Sequence, residues 1–148
     1  MSKLTDFLQG VGPDAAGRMI DEVLRLPPAD LERFHDFIQW LFPLPEPSAA
    51  VPGSPILSID DIALIHRSEP AQRNLAEASA LMSGFYAETD HWLRETDHNH
   101  LRITRIVRSL RVLVDDAAAD TFAKAIHDRV AATGAPISSA SRAYWAAA

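Results

Sequence analysis

Half of the chain's ten prolines, Pro43, Pro45, Pro47, Pro52 and Pro55, fall between positions 43 and 55. No helix or central strand can run through such a stretch. Each proline lacks an N–H, and its ring clashes with the preceding turn. The segment therefore divides the chain, and a core must be assembled from what lies on either side. A flexible linker between two domains is one reading. The part before it holds too few helices to close a core alone, and proline lowers the entropy lost on ordering. The expectation is a single domain over 1–148 with an ordered, extended strap at 43–57.

The flanking sequence has helical spacing and no convincing alternation of period two. Asp14 is placed to cap a first helix running to about Leu26, with Met19, Ile20, Val23 and Leu24 inward. Pro27-Pro28 ends it. Asp30 starts a second helix that buries Leu31, Phe34, Phe37, Ile38 and Leu41 and stops at Pro43. Ser58 with Asp61 reads as a capping box for a short helix through His66. Ser68-Glu69-Pro70 opens another, with Ala71, Leu75, Ala78, Met82 and Phe85 on one stripe. A loop covers Glu88 to Thr96 with Trp92 and Leu93 buried. A helix from His98 to Val114 follows. The next starts near Asp116 and ends at Gly134 and Pro136. Ser138 caps a last short one. The fold class is all-α, a compact domain of six or seven helices.

Size and composition narrow the function classes. A chain of 148 residues buries enough surface to need no disulfide staple. It has no cysteine, which removes thiolate metal sites and fits a reducing, cytoplasmic setting. No secretory signal or membrane span is expected. The formal charge of −6 argues against a nucleic-acid partner unless a local basic face exists.

One such face does exist. Arg102, Arg105, Arg108 and Arg111 recur every three residues, with no acid between Asp97 and Asp115. The arginines can cover apolar surface and pair with carboxylates such as Asp36, Glu32 or Glu77. They can also form a pocket for phosphate, carboxylate or a peptide C-terminus. Nucleic acid suits them less, because no aromatics are interleaved. Asp97 is a plausible cap for the same helix. His98 and His100 diverge on it by about 200°, too far to share a metal, and no metal or other cofactor is expected.

The second helix is the other candidate. Taken as continuous, it stacks His35 with Gln39 on one shoulder and Asp36 with Trp40 on the other. Such groups tie the helix to its neighbours, or face a ligand. His35-Asp36 is also a dipeptide of metal-dependent phosphohydrolases, whose further ligands cannot be placed here. Asp36 is expected within reach of Arg102 or Arg105, because charges drawn to an interface need a partner or a shared ligand.

The stretches His35-Asp36-Phe37-Ile38-Gln39-Trp40-Leu41-Phe42-Pro43 and Asp97-His98-Asn99-His100-Leu101-Arg102-Ile103-Thr104-Arg105-Ile106, with Glu46-Pro47-Ser48, Pro55-Ile56-Leu57, Trp92-Leu93 and Trp145, resemble the conserved region of the opioid growth factor receptor family. A chain of this length looks like its short, bacterial-type members. The resemblance implies kinship with animal receptors that bind an enkephalin pentapeptide, sit around the nucleus and restrain growth. It supplies no catalytic residues.

Together these readings point to a non-enzymatic binding or interaction module for a small anionic ligand or peptide. The candidate ligand residues are His35, Asp36, Gln39, Trp40, His98, Asn99, Arg102 and Arg105. The alternative is an enzyme on a small anionic substrate. In it, His35 or His98 beside Asp36 or Asp97 would transfer protons, and Arg102 or Arg105 would hold the anion.

Overall fold

A computed structural model describes residues 2–148. It is all-α, with nine helices and no strand among the described residues. They are α1 (Lys3–Gln9), α2 (Ile20–Val23), α3 (Pro28–Arg33), α4 (Ile38–Leu41), α5 (Ile59–Arg67), α6 (Glu69–Glu88), α7 (His98–Leu113), α8 (Asp116–Thr133) and α9 (Ser139–Ala147).

From α5 onward the helices begin where the capping residues predict. Ser58 and Asp61 form the reciprocal capping box of α5. Ser68, Asp97 and Ser138 cap α6, α7 and α9 through their side chains, and α8, expected to start near Asp116, is capped by Asp115, for which no cap was named from the sequence. Gly134 ends α8 in the left-handed conformation, with φ 65°. Trp92, in the loop before α7, is fully buried.

The first forty residues differ from expectation. Asp14 caps no helix. Its carboxylate accepts the N–H groups of Ala16 and Arg18 and the Arg18 Nε–H, so the acid organises a turn. The helical content lies instead in α1, which was not anticipated, and in the single turn of α2. The second predicted helix is two short ones. Phe34 leaves α3 with φ −82° and ψ 134°, an extended conformation, and α4 begins only at Ile38. The added α1 and the split into α3 and α4 raise the helix number above six or seven.

The core joins both sides of the prolines. α7 packs on α8, α9 and α5, while α1 packs on α6, α5 and α4. Ile103, Ile106, Val107, Leu110 and Leu113 of α7 are buried beside Phe37, Ile38, Leu41 and Phe42 from before the strap. The strap is ordered against the helices. The Leu57 N–H donates to the Leu44 carbonyl at 3.0 Å, and both side chains are buried. Arg108 grips Glu46 through two bonds, at 2.5 and 3.1 Å. No helix among the described residues is long and apolar enough to cross a membrane.

Candidate functional site

Breaking a helix at Phe34 exposes carbonyls that a continuing helix would have satisfied. α7 supplies the missing donors. Arg102 Nη1 donates to the Leu31 carbonyl at 2.7 Å, and its Nη2 to that of Phe34 at 2.5 Å. One turn on, Arg105 Nε donates to the Phe42 carbonyl at 2.9 Å, just past α4. Ser109 Oγ completes the series on the Pro43 carbonyl at 2.8 Å. A row of side chains on one helix thus holds the ends of two others. Cations at helix C-termini also meet the negative end of the dipole.

This overturns the expected link between the two sequence motifs. Asp36 does not face Arg102 or Arg105; it bonds Arg18 at 3.0 Å and is half exposed. The extended backbone at Phe34 changes the direction of His35 and Asp36 relative to α4, so the shoulder arithmetic of a continuous helix does not hold. Neither do Arg108 and Arg111 pair with Glu32, Asp36 or Glu77. Arg108 takes Glu46, and Arg111 takes Asp116 and Asp120.

Five of the eight candidate residues do converge. His35, Gln39, His98, Arg102 and Arg105 line one cavity of about 310 Å³. Ile38 and Leu101 add apolar wall, and Ser48 to Val51 of the strap close it from outside. The His35 and His98 rings meet edge to face, with centroids 5.4 Å apart. Arg102 Nη2 lies 3.4 Å from His35 Nδ1, which can only accept from a guanidinium and is therefore the unprotonated nitrogen in that contact.

The other three serve elsewhere. Trp40 is nearly buried, packs edge-on against Phe7 at 5.5 Å and faces a separate groove. Asn99 is fully buried. Its amide donates to Glu32 at 3.0 Å and to Asp97 at 2.9 Å, and it accepts from the Tyr86 hydroxyl at 3.1 Å. Asn99 therefore fixes the structure behind the cavity.

Electrostatics set the cavity apart. Arg102 is 7% exposed, and no carboxylate lies within ion-pair distance of it or of Arg105. Burial holds both guanidinium groups below their usual range, and they still carry charge at neutral pH. Glu32 and Asp97 favour the charge on Arg102, and Glu46 that on Arg105, but none touches its guanidinium, and a buried charge without a contacting partner is costly. Backbone carbonyls satisfy Arg102, but Arg105 Nη2 is buried with no hydrogen-bond partner, and so is Gln39 Oε1. One orphan donor and one orphan acceptor thus belong to residues of the same small cavity. Among the described residues no cluster of His, Cys, Asp or Glu could hold a metal ion.

Sequence reasoning missed Glu32 as an organiser. It bonds His91 Nε2 at 2.6 Å and Asn99 at 3.0 Å, and its other oxygen lies 2.9 Å from His98 Nε2. Burial pushes its carboxyl up, but the hydrogen bonds from Asn99 and His91 and the histidine charges outweigh this and hold it below the ordinary range. The distance in sequence between Glu32 and its partners left no local pattern to find it by.

The residues that line this cavity all fall within the stretch matched by a family profile. The opioid growth factor receptor conserved-region profile matches residues 19–122, from the turn before α2 into α8. The opioid growth factor receptor of Rattus norvegicus is 35% identical over 98 residues, covering 54% of this chain and 17% of the relative. That of Homo sapiens is also 35% identical over 98 residues, covering 54% and 14%. The opioid growth factor receptor-like protein 1 of Mus musculus is 32% identical over 114 residues, covering 64% and 24%. The chain thus spans less than a quarter of the length of these relatives. No solved structure matches it. The profile covers well over half of the chain, which belongs to the opioid growth factor receptor conserved-region family.

Proposed function

We propose that the chain is a non-enzymatic binding module, a single domain over 1–148, whose cavity between α7, α4 and the strap takes the carboxylate of a small molecule or short peptide. The observation that carries this is that Arg105 Nη2 and Gln39 Oε1, both buried and without a hydrogen-bond partner, belong to residues that line the same cavity. A carboxylate would satisfy the first, and an adjacent N–H of the ligand the second. A peptide C-terminus offers both groups. The relatives' name, receptor, agrees with ligand binding.

The enzyme alternative is less well supported. It needs a histidine and a carboxylate converging in one cavity. Asp36 is turned to Arg18, and neither Glu32 nor Asp97 lines the space. A cytoplasmic location and independence from nucleic acid are part of the same proposal.

N-acetylalanine carries one carboxylate and one amide N–H, which makes it a suitable probe. Titration should give saturable binding in calorimetry or NMR, weakened at least tenfold in Arg105→Gln. N-acetylalanine amide should not bind. Equal binding of the amide, or unchanged binding to the variant, would overturn the reading.

A further inference from the structure

The two histidines of the cavity differ in what faces their ring nitrogens. Both are exposed whereas Arg102 is buried, so they stand at the mouth with the guanidinium group behind them. His98 lies between two carboxylates. Its Nε2 is 2.9 Å from Glu32 Oε1, and its Nδ1 is 3.7 Å from Asp97 Oδ1. Other bonds hold both acids in place, from Asn99 and His91 to Glu32 and from Asn99 and Arg94 to Asp97. A charged His98 thus has its counter-charges in the protein, with or without a ligand.

His35 has none. From α7, Arg102 sets its Nη2 3.4 Å from His35 Nδ1, His98 meets the ring edge to face, and Arg105 lines the same space. From α3, Glu32 turns its two oxygens to His91, Asn99 and His98. In the link that carries His35 itself, Asp36 is bound to Arg18. α4 offers Gln39, and the strap offers Ser48 to Val51, none of them ionisable. His35 therefore forms no ion pair among the described residues. Its Nδ1 accepts from Arg102, so a second proton on the ring would turn that acceptor into a donor facing another donor.

The cavity thus lacks an anion at two places. Arg105 Nη2 has no acceptor, and a charged His35 would have no counter-charge. A carboxylate in a space of about 310 Å³ lined by both residues would answer both.

We propose that the cavity takes its anion together with a proton, and that His35 receives the proton. The proposal rests on the anion-binding reading of the cavity and adds the regulation of that site by pH. The proton comes from solvent, to which His35 is open. The ring turns its new N–H from Arg102 to the carboxylate, and no covalent bond other than that N–H forms or breaks. The coupling is reciprocal: the anion favours the proton as much as the proton favours the anion. Binding therefore strengthens as pH falls from about 8 to about 5, the window in which a histidine gains its charge. A simple carboxylic acid stays ionised throughout that window, so the ligand does not cause the slope. His98 contributes less to it, because its carboxylate partners are already present in the empty cavity.

The test titrates N-acetylalanine into the full chain by calorimetry from pH 5.5 to pH 8, at each pH in two buffers of different ionisation enthalpy. Affinity should rise at least about fivefold from pH 8 to pH 5.5, the lower end of ordinary coupling. The two buffers should reveal net proton uptake near pH 7. His35→Gln should flatten the pH profile and abolish the uptake, whatever its affinity, whereas His98→Gln should keep both. NMR of ring nitrogens in the ¹⁵N-labelled parent reads the same event without a substitution: at pH 7 the probe should move the His35 signals towards those of an imidazolium. Saturable binding with a flat profile and no uptake would remove the proton coupling and leave the anion site. Uptake that persists in His35→Gln, or ring signals that move at His98 alone, would overturn the assignment to His35. Absence of binding at every pH would remove the coupling and the anion site together.

Discussion

The Arg102 guanidinium donates to the Leu31 carbonyl at 2.7 Å, across 71 residues of sequence, and so closes the end of α3 from a helix on the far side of the strap. With its bond to Phe34, it makes one side chain responsible for the break that separates α3 from α4. Hydrogen bonds from a charged donor contribute about 1.5–3 kcal/mol each, and a buried carbonyl left bare adds its own cost. Arg102→Leu should therefore lose about 3 kcal/mol or more in urea unfolding. Arg102→Lys, with one compact head instead of a fork, should recover less than half of this. A loss below about 1 kcal/mol for Arg102→Leu would show that other groups hold the break.

Trp40 provides the second prediction. It is 8% exposed and stacks edge-on against Phe7 of α1. Trp40→Ala should cost about 3–5 kcal/mol, as truncation of a buried aromatic does. Chemical unfolding measures it directly. A cost under about 1 kcal/mol would mean that the ring contributes to the groove alone.

From α5 onward the fold was legible because local chemistry and tertiary structure agree there. Ser58, Ser68, Asp97, Asp115 and Ser138 cap the helices, Gly134 ends one, and the apolar stripes between them are long. Before the strap the same rules misled. Asp14 has the chemistry of an N-cap but uses it on the turn to Arg18. Leu31, Phe34, Ile38 and Leu41 have helical spacing, yet Phe34 is extended, because Arg102 stabilises the carbonyls that the break releases. That stabilisation comes from a residue 68 positions away, so no window on the sequence could contain it. The candidate site was legible to the same degree. His35, Gln39, His98, Arg102 and Arg105 converge, while Asp36 was lost to Arg18 by the same change of backbone direction.

That loss gives a third prediction, a pair of double-mutant cycles. Asp36→Asn and Arg18→Gln should couple by about 0.2–1 kcal/mol, the range for a partly exposed ion pair. Asp36→Asn and Arg102→Gln should be additive within about 0.5 kcal/mol, since the two share no contact. Coupling of the second pair as strong as the first would contradict the observed pairing.

The last prediction concerns pH. Glu32 is held below its ordinary pKa of 4.5 by Asn99 and His91 against the opposing effect of burial. A carboxyl with a depressed pKa in the folded state contributes stability above its unfolded pKa. That contribution is lost as pH falls through the folded value, because the unfolded chain then binds the proton more readily. Stability should therefore decline below about pH 4.5, with Glu32 among the causes. Asp97, also depressed by Asn99 and Arg94, adds to the slope at the acid end. Urea unfolding from pH 3 to pH 7 separates the two. Glu32→Gln should be less stable than the parent at pH 7 and should flatten part of the acid slope, leaving the part due to Asp97. Because His98 both contacts Glu32 and lines the cavity, the same substitution should loosen the His35–His98 contact and weaken N-acetylalanine binding at pH 7. A parallel acid slope in the variant would show that Glu32 is not the group that titrates. Unchanged probe binding would show that the network behind the cavity does not shape it.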